Sequence, residues 1–539
     1  MGKNIHHTEK GSTMTNQTSQ SVVKGALILT FAGLISKILS AGYRVPLQNI
    51  TGDLGFYVYQ QVYPILGVAL ILSLYGFPAA ISKLVSELRE EKSFLSLPSF
   101  YLPVFSWLMG ICGLIFVIGF TQAPAIAAVM GDEKLIPSLR SAFFVFLLVP
   151  IISLFRGVFQ GMNQMKPTAV SQVVDQLIRV STIIATAVLV IKFDRLYAVG
   201  IGASAASFLG ACGGLGVLLL YVKKQSIWKN ERWSTSVSYI RTILFYGLFI
   251  CLNYTLLLSM QFVDSLSLVP GLLEFGVEME KARVLKGIFD RGQPLIQLGT
   301  VLASSVALAL IPSVTRKRYE KDPEHVKTYM YNSTKISLIM ALGATAGLIV
   351  LFPEINQLFF QNTEGTSALR VMMLVILFAS LSLTTASVLQ GLGYVHHTAT
   401  LILLAIGLKV FGNYLLIPAF GLHGAAAAST IATAFVLAGN IVLLGKEIPL
   451  NRWLNMPWLK IGAALTGMIL FLILFHDFGE RIMADGRVLL LIYTLIMTAL
   501  GGLVYFLLLL MLGTFTKKEL EPMPFYNTVQ RLLPKGLKS

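Results

Sequence analysis

Two adjacent charges, Asp290 and Arg291, interrupt an otherwise apolar run, "IFDRGQPLIQLGTVLASSVALALIPSV" (288–314). An ionised side chain at the centre of a membrane helix costs about 2.5–3.5 kcal/mol on insertion scales, so such residues mark function or tight pairing. Neighbouring residues on a helix point to different sides, so these two cannot neutralise each other in place. Four more cations stand within apolar runs: Lys37, Arg156, Arg179 and Lys409. Arg44 lies just past the end of the first run. The acids in comparable positions are fewer: Asp175, Asp264 and Asp290. Asp175 and Arg179 are four residues apart with the acid first, the favourable order for a pair on one helix face. Lys409 has Ala405 in the corresponding place, so its partner is Asp264, a lipid headgroup or the substrate. The interior that these residues describe is cationic. It suits an anion, and arginine in particular matches phosphate through paired hydrogen bonds. On this reading Arg291, Lys37, Arg44, Arg179, Lys409 and Arg156 are the candidate substrate-binding residues, with Asp290, Asp264 and Asp175 as supporting acids.

The elements that position them are membrane helices. The chain has 539 residues, 55% hydrophobic and 13% charged, about half the charged share of a soluble domain. Its apolar residues fall in runs long enough to span a bilayer: 22–42, 62–82, 98–120, 137–160, 168–191, 196–222, 237–260, 285–312, 327–351, 366–390, 398–418, 421–445, 457–475 and 488–513. The fold expected is all-α and polytopic, with fourteen transmembrane helices. With the N-terminus placed in the cytoplasm, about 26 of the 42 Lys and Arg fall on inside segments and about 11 on outside ones. The positive-inside rule then puts both termini in the cytoplasm of a cell membrane. Trp228, Trp233, Trp453 and Trp458 flank the inside loops as interfacial anchors. The net charge of +16 is thus topology and lipid contact, not a nucleic-acid surface. Met14 is an alternative start to Met1.

The chain also repeats itself. "FQGMNQMKPTAVSQVVDQLIRV" (159–180) matches "LQGLGYVHHTATLILLAIGLKV" (389–410) at an offset of 230, which aligns Arg179 with Lys409 and Pro64 with Pro294. "VGIGASAAS" (199–207) matches "GLHGAAAAS" (421–429) at an offset of 222. Six helices therefore correspond to the next six. An even number of spans gives two parallel lobes, an arrangement in which transporters place substrate between the halves. The divisions expected are a cytoplasmic tail (1–21), an N-lobe (22–235), a C-lobe (236–450), two further helices (451–515) and a cytoplasmic tail (516–539). The segment 264–287 reads as a long external connection, either an interfacial gate or a packed cap.

Chemistry other than transport has little support. No HExxH, nucleotide-binding loop, Asp-x-Asp pair or nucleophile–base pair is present, so the chain reads as neither an enzyme nor a cofactor protein. His396 and His397 read as a solvated loop pair rather than a metal site, and Cys112, Cys212 and Cys251 as small apolar packers.

These features together resemble the multidrug/oligosaccharidyl-lipid/polysaccharide (MOP) exporter superfamily. "GFPAAISKLVSE" (76–87) resembles its polysaccharide-biosynthesis branch, which includes the stage V sporulation protein B type. "FDRGQPLIQLGTVLASSVALALIPSVTRKR" (289–318) resembles the eighth helix of the MurJ-type lipid II flippases. The resemblance implies a bacterial flippase for an anionic lipid-linked saccharide, working in the bilayer beside cell-wall synthesis proteins. It implies a central cavity entered by Arg291, with Lys37 near a first-helix arginine of the group. The acid that those flippases carry soon after the first helix has no match where Tyr57 and Tyr59 stand. Some relatives bind sodium in the second half; here Asp264 and Asn413 are available, but Lys409 stands beside them in place of the ion. The helices at 457–475 and 488–513 lie outside the repeat, where they could form a groove for the prenyl tail. Two other functions compete: a multidrug cation antiporter of the same superfamily, and a non-transporting scaffold for cell-wall or spore assembly.

Overall fold

The computed structural model describes residues 25, 28–29, 31–90, 97–225, 242–310, 316–447 and 456–515. The tails at 1–21 and 516–539 and the anchors Trp228, Trp233 and Trp453 lie outside them. Among the described residues the regular structure is helical, with no strand. Eleven helices are long and apolar enough to cross a membrane, and Trp458–Leu474 is a shorter apolar helix. This is a multi-pass membrane protein. One of the eleven, Phe31–Arg89, has 59 residues. At 1.5 Å per residue it would reach roughly 88 Å, against a hydrocarbon core of about 30 Å. It breaks at Gly52, whose φ of +68° no helix contains. That angle is open to glycine and strained for other residues.

The structure corrects the reading of 264–287. Leu256–Glu274 is one continuous helix, and Met279–Asp290 begins the next, so the connection shrinks to 275–278. Asp264, expected as a buried acid near a helix end, is a fully buried residue within this helix. The run around Arg291 also differs from a single span. Met279–Asp290 ends at Arg291 and Gly292–Leu310 follows. Pro294 accounts for the break: it has no N–H for the Asp290 carbonyl, and its ring crowds that carbonyl. Arg291 therefore stands at a junction between two helices.

Two compact units are distinguished, Met1–Thr51 with Val58–Leu258, and Gly52–Tyr57 with Ser259–Ser539. In the first, Met165–Lys192 packs along Ala198–Gln225, and Phe77–Glu90 along Val149–Gly161. The second contact depends on Gly157 and Gly161, four apart. A Cβ on either would lie 2.5 Å from Ile81 Cβ or 2.6 Å from Val85 Cβ. Small residues at this spacing let membrane helices approach closely, and van der Waals contact is what joins helices in lipid. In the second unit, Val395–Phe420 packs along Leu422–Leu444, Gly292–Leu310 along Pro323–Val350, and Trp458–Leu474 along Arg487–Met511.

The offset of 230 is visible in the backbone. Val149–Gly161 ends with Asn163 at φ 60°, and Leu374–Gly391 ends with Gly393 at φ 97°. Asn163 N–H donates to Gln160 O (2.9 Å) and Gln164 N–H to Phe159 O (2.8 Å). Gly393 N–H donates to Gln390 O (3.0 Å) and Tyr394 N–H to Leu389 O (2.9 Å). Both are the left-handed helix end that satisfies the last free carbonyls, built at matching positions of each unit.

Candidate functional site

The first unit holds three buried arginines, two of them on one carboxylate. Arg156 is fully buried on Val149–Gly161. Its Nη1 donates to Ser73 O (3.3 Å), its Nη2 to Ser171 Oγ (2.9 Å), and Nη2 lies 3.6 Å from Asp175 Oδ2. Arg179 Nη2 binds Asp175 Oδ1 at 2.6 Å, the pair expected from the spacing. Among the described residues Arg179 keeps one nitrogen, Nε, without a hydrogen-bond partner.

Arg44 is different. It is 0% exposed, yet among the described residues none of its three guanidinium nitrogens makes a well-directed hydrogen bond; the Tyr43 hydroxyl is close enough to interact but is poorly aimed. What faces it is aromatic. Its guanidinium carbon lies 4.2 Å from the Tyr63 ring centroid. Tyr59 packs 5.7 Å from Tyr63 and 6.1 Å from Tyr43, ring to ring, and the hydroxyls of Tyr43 and Tyr59 are hydrogen-bonded to each other. Tyr43 and Tyr63 lie within electrostatic reach of both Arg44 and Arg179. A cation over an aromatic face gains about 0.5–2 kcal/mol. That offsets only part of the cost of burying a charge without donors satisfied. With Asp175 between Arg156 and Arg179, and no acid in contact with Arg44 among the described residues, these four residues carry a net charge of +2.

The second unit has the opposite balance. Each buried cation expected to serve substrate there already holds an acid. Arg291, fully buried, grips Asp53 through two parallel bonds, Nε to Oδ1 at 2.8 Å and Nη2 to Oδ2 at 2.5 Å. Its Nη1 donates to Asn362 Oδ1 (2.6 Å) and Asn356 Oδ1 (3.4 Å), and the Phe360 ring lies 5.3 Å from the guanidinium. Asp53 follows the break at Gly52. Gly287 leaves the room it needs, because a Cβ there would collide with the Asp53 carbonyl oxygen. Asp290 is held by Lys286 one turn earlier, at 2.5 and 2.6 Å.

Lys409 lies on Val395–Phe420 and is fully buried. Its Nζ contacts Asp264 Oδ1 (2.6 Å), Ser429 Oγ (2.7 Å) and Ala425 O (3.0 Å). Asn413, one turn on, donates to Asp264 Oδ1 (2.9 Å) and Ser267 Oγ (2.7 Å). Of the partners left open by the sequence, Asp264 is therefore the one in contact.

Two expectations are corrected by this geometry. Arg291 is not an unpaired cation, because it holds Asp53. Lys37 does not join the arginines; it is exposed on the 31–42 helical stretch. Lys286 was legible from the same i, i+4 rule that identified Asp175 and Arg179. Asp53 was not, since its partner lies 238 residues away. The Arg291–Asp53 pair gives a direct prediction. Arg291→Gln and Asp53→Asn each destabilise the protein, and the double variant loses less than their sum. The expected coupling is about 1–3 kcal/mol in a double-mutant cycle of unfolding free energies. Strict additivity would mean the contact is absent in the membrane.

The family described as "Polysaccharide biosynthesis protein" matches residues 22–318. The chain belongs to that family. It lies in the polysaccharide-biosynthesis branch of the MOP exporter superfamily, and the MatE family of the same superfamily also matches residues 290–415. This member is 38% identical over 518 residues to the uncharacterized membrane protein YabM of Bacillus subtilis (strain 168), covering 95% of this chain and 96% of that one. It is 24% identical to lipid II flippase MurJ of the same organism, over 90% of this chain and 94% of that one. A solved structure of lipid II flippase MurJ in an inward closed conformation has the same fold, with a TM-score of 0.64 at 14% identity, covering 89% of this chain and 98% of that one. The polysaccharide-biosynthesis match spans Arg44, Arg156, Arg179 and Arg291 together, whereas the MatE match contains only Arg291 and Lys409 of the candidate cations.

Proposed function

We propose that this protein is a flippase that moves an undecaprenyl-pyrophosphate-linked saccharide from the inner to the outer leaflet by alternating access. The saccharide is a cell-wall precursor or a polysaccharide repeat unit. The observation that carries this reading is Arg44, a buried guanidinium with no well-directed hydrogen bond among the described residues, which shares the neighbours Tyr43 and Tyr63 with Arg179, whose Nε is likewise unsatisfied there. A pyrophosphate supplies the acceptors these donors lack, in the bidentate geometry that guanidinium favours. Tyrosine hydroxyls alongside suit the mixed phosphate and sugar headgroup. Arg291 takes part when Asp53 releases it, so carboxylate and substrate compete for one guanidinium. The two lobes are 22–235 and 236–450, with 451–515 as an added pair of helices, and both termini face the cytoplasm.

The MatE match supports the rival reading, an antiporter of cationic drugs. Such a site requires carboxylates ready for a cation. Among the described residues, Asp53, Asp175, Asp264 and Asp290 each hold an arginine or lysine, and Glu354 holds His476. The anion reading is therefore preferred. Depletion of the protein tests it together with the scaffold alternative. An undecaprenyl-linked intermediate should accumulate on the cytoplasmic face. Cells that show a wall or spore defect with unchanged lipid-linked pools would speak for a scaffold.

A further inference from the structure

The short helix Phe352–Phe360 touches two things at once within the second unit. Toward Arg291 it presents Asn356 and the Phe360 ring, and Asn362 lies just past its end. Toward the C-terminal helices it presents Glu354, which is 0% exposed and whose Oε1 lies 2.9 Å from His476 Nδ1. Its last carbonyls are held as well: Arg487 Nε donates to Leu358 O (2.9 Å) and Nη2 to Phe359 O (3.5 Å). His476 opens the helix His476–Asp485, and Arg487 opens Arg487–Met511, which packs along Trp458–Leu474. The fit is close. A Cβ on Gly479 would lie 2.9 Å from Glu354 Oε1 and 2.7 Å from the Tyr493 hydroxyl, which itself donates to Phe475 O.

Among the described residues Glu354 Oε2 has no hydrogen-bond partner, so the buried carboxylate depends on the His476 contact. A nine-residue helix pinned in this way moves as one body. Whatever displaces the two C-terminal helices displaces Asn356, Phe360 and Asn362 with them, and these are the groups that surround the Arg291–Asp53 clasp.

We propose that Glu354, His476 and Arg487 are positioning residues: through Phe352–Phe360 they let the C-terminal helix pair control whether Arg291 holds Asp53. The role of that release in transport rests on the flippase reading above; the mechanical coupling does not. It is the kind of physically contiguous, two-state element that coupling between sites requires.

The test is a distance measurement without substrate. Spin labels are placed at Leu54→Cys, beside Asp53, and at Thr363→Cys, an exposed position beside Asn362. The background lacks Cys112, Cys212 and Cys251. Asp53→Asn supplies the reference distribution for the released clasp. Cutting either tie, with His476→Ala or Arg487→Ala, should raise the released population roughly tenfold, within the usual range of coupling between sites. His476→Gln, which keeps a donor for Glu354, should restore the wild-type distribution. Should His476→Ala fail to fold, Arg487→Ala alone decides. A folded Arg487→Ala protein with the wild-type distance distribution overturns the proposal. That outcome leaves the flippase reading intact, and loss of the flippase reading would leave a shifted distance standing.

Discussion

Lys409→Met destabilises the protein by about 3–5 kcal/mol, the usual cost of removing one partner of a buried ion pair. Adding Asp264→Asn recovers most of the loss. The geometry explains both results. Lys409 and Asp264 are both fully buried, and the ammonium is surrounded by a carboxylate, a hydroxyl and a carbonyl. Without it, Asp264 keeps Asn413 as its donor but has no counter-charge within contact. Replacing both charges removes the desolvation penalty together with the attraction, so the double variant is close to neutral. Unfolding of the purified variants in detergent reads these differences. The same arrangement bears on ion coupling. The oxygens around Lys409 Nζ are hard ligands of the kind a small cation takes, and a tethered ammonium already fills the space. Export by the wild-type chain is therefore expected to proceed equally in sodium and potassium. A strict sodium requirement would contradict the idea that Lys409 replaces a coupling ion.

Much of the helical layout is legible in the sequence because lipid enforces it. Backbone groups in hydrocarbon must bond within their own segment, so each run of apolar residues becomes a helix. The repeat was equally legible, down to the paired helix ends at Asn163 and Gly393. The failures have one physical cause. Asp264 and Ser267 fell within the segment read as an external connection, yet their partners Lys409 and Asn413 come from a helix some 140 residues later. A polar residue that finds a tertiary partner can stay inside a helix, and single-sequence patterning has no access to that partner. Asp53 escaped notice for the same reason. The adjacency of Asp290 and Arg291 carried more information than it first offered: unable to meet each other, they find Lys286 on one side and Asp53 on the other.

The distribution of charge is what supports the proposed anion site in the first unit. In the second unit each candidate cation is matched, whereas in the first Arg156 and Arg179 share Asp175 and Arg44 has no acid in contact among the described residues. An uncompensated guanidinium in a protein interior is a standing cost, so its removal has an unusual signature. Arg44→Met should unfold at the same or a higher temperature than the wild type, because a buried charge without acceptors gives way to an apolar side chain of similar reach. Its function should nonetheless collapse. Two charge-assisted hydrogen bonds to phosphate, at about 1.5–3 kcal/mol each, correspond to a loss of roughly 10²–10³-fold even when they act less than additively. Arg44→Lys keeps the charge and loses the fork, so it should fall between the two.

The decisive measurement is the rate at which purified protein in vesicles moves an undecaprenyl-pyrophosphate-linked saccharide between leaflets, compared for wild type and Arg44→Met with thermal unfolding recorded on the same samples. Flipping by the wild type, lost by a hundredfold or more in a variant of equal or greater thermal stability, is the predicted result. Undiminished flipping by a folded Arg44→Met protein would contradict the assignment of this arginine, and with it the anion site in the first unit.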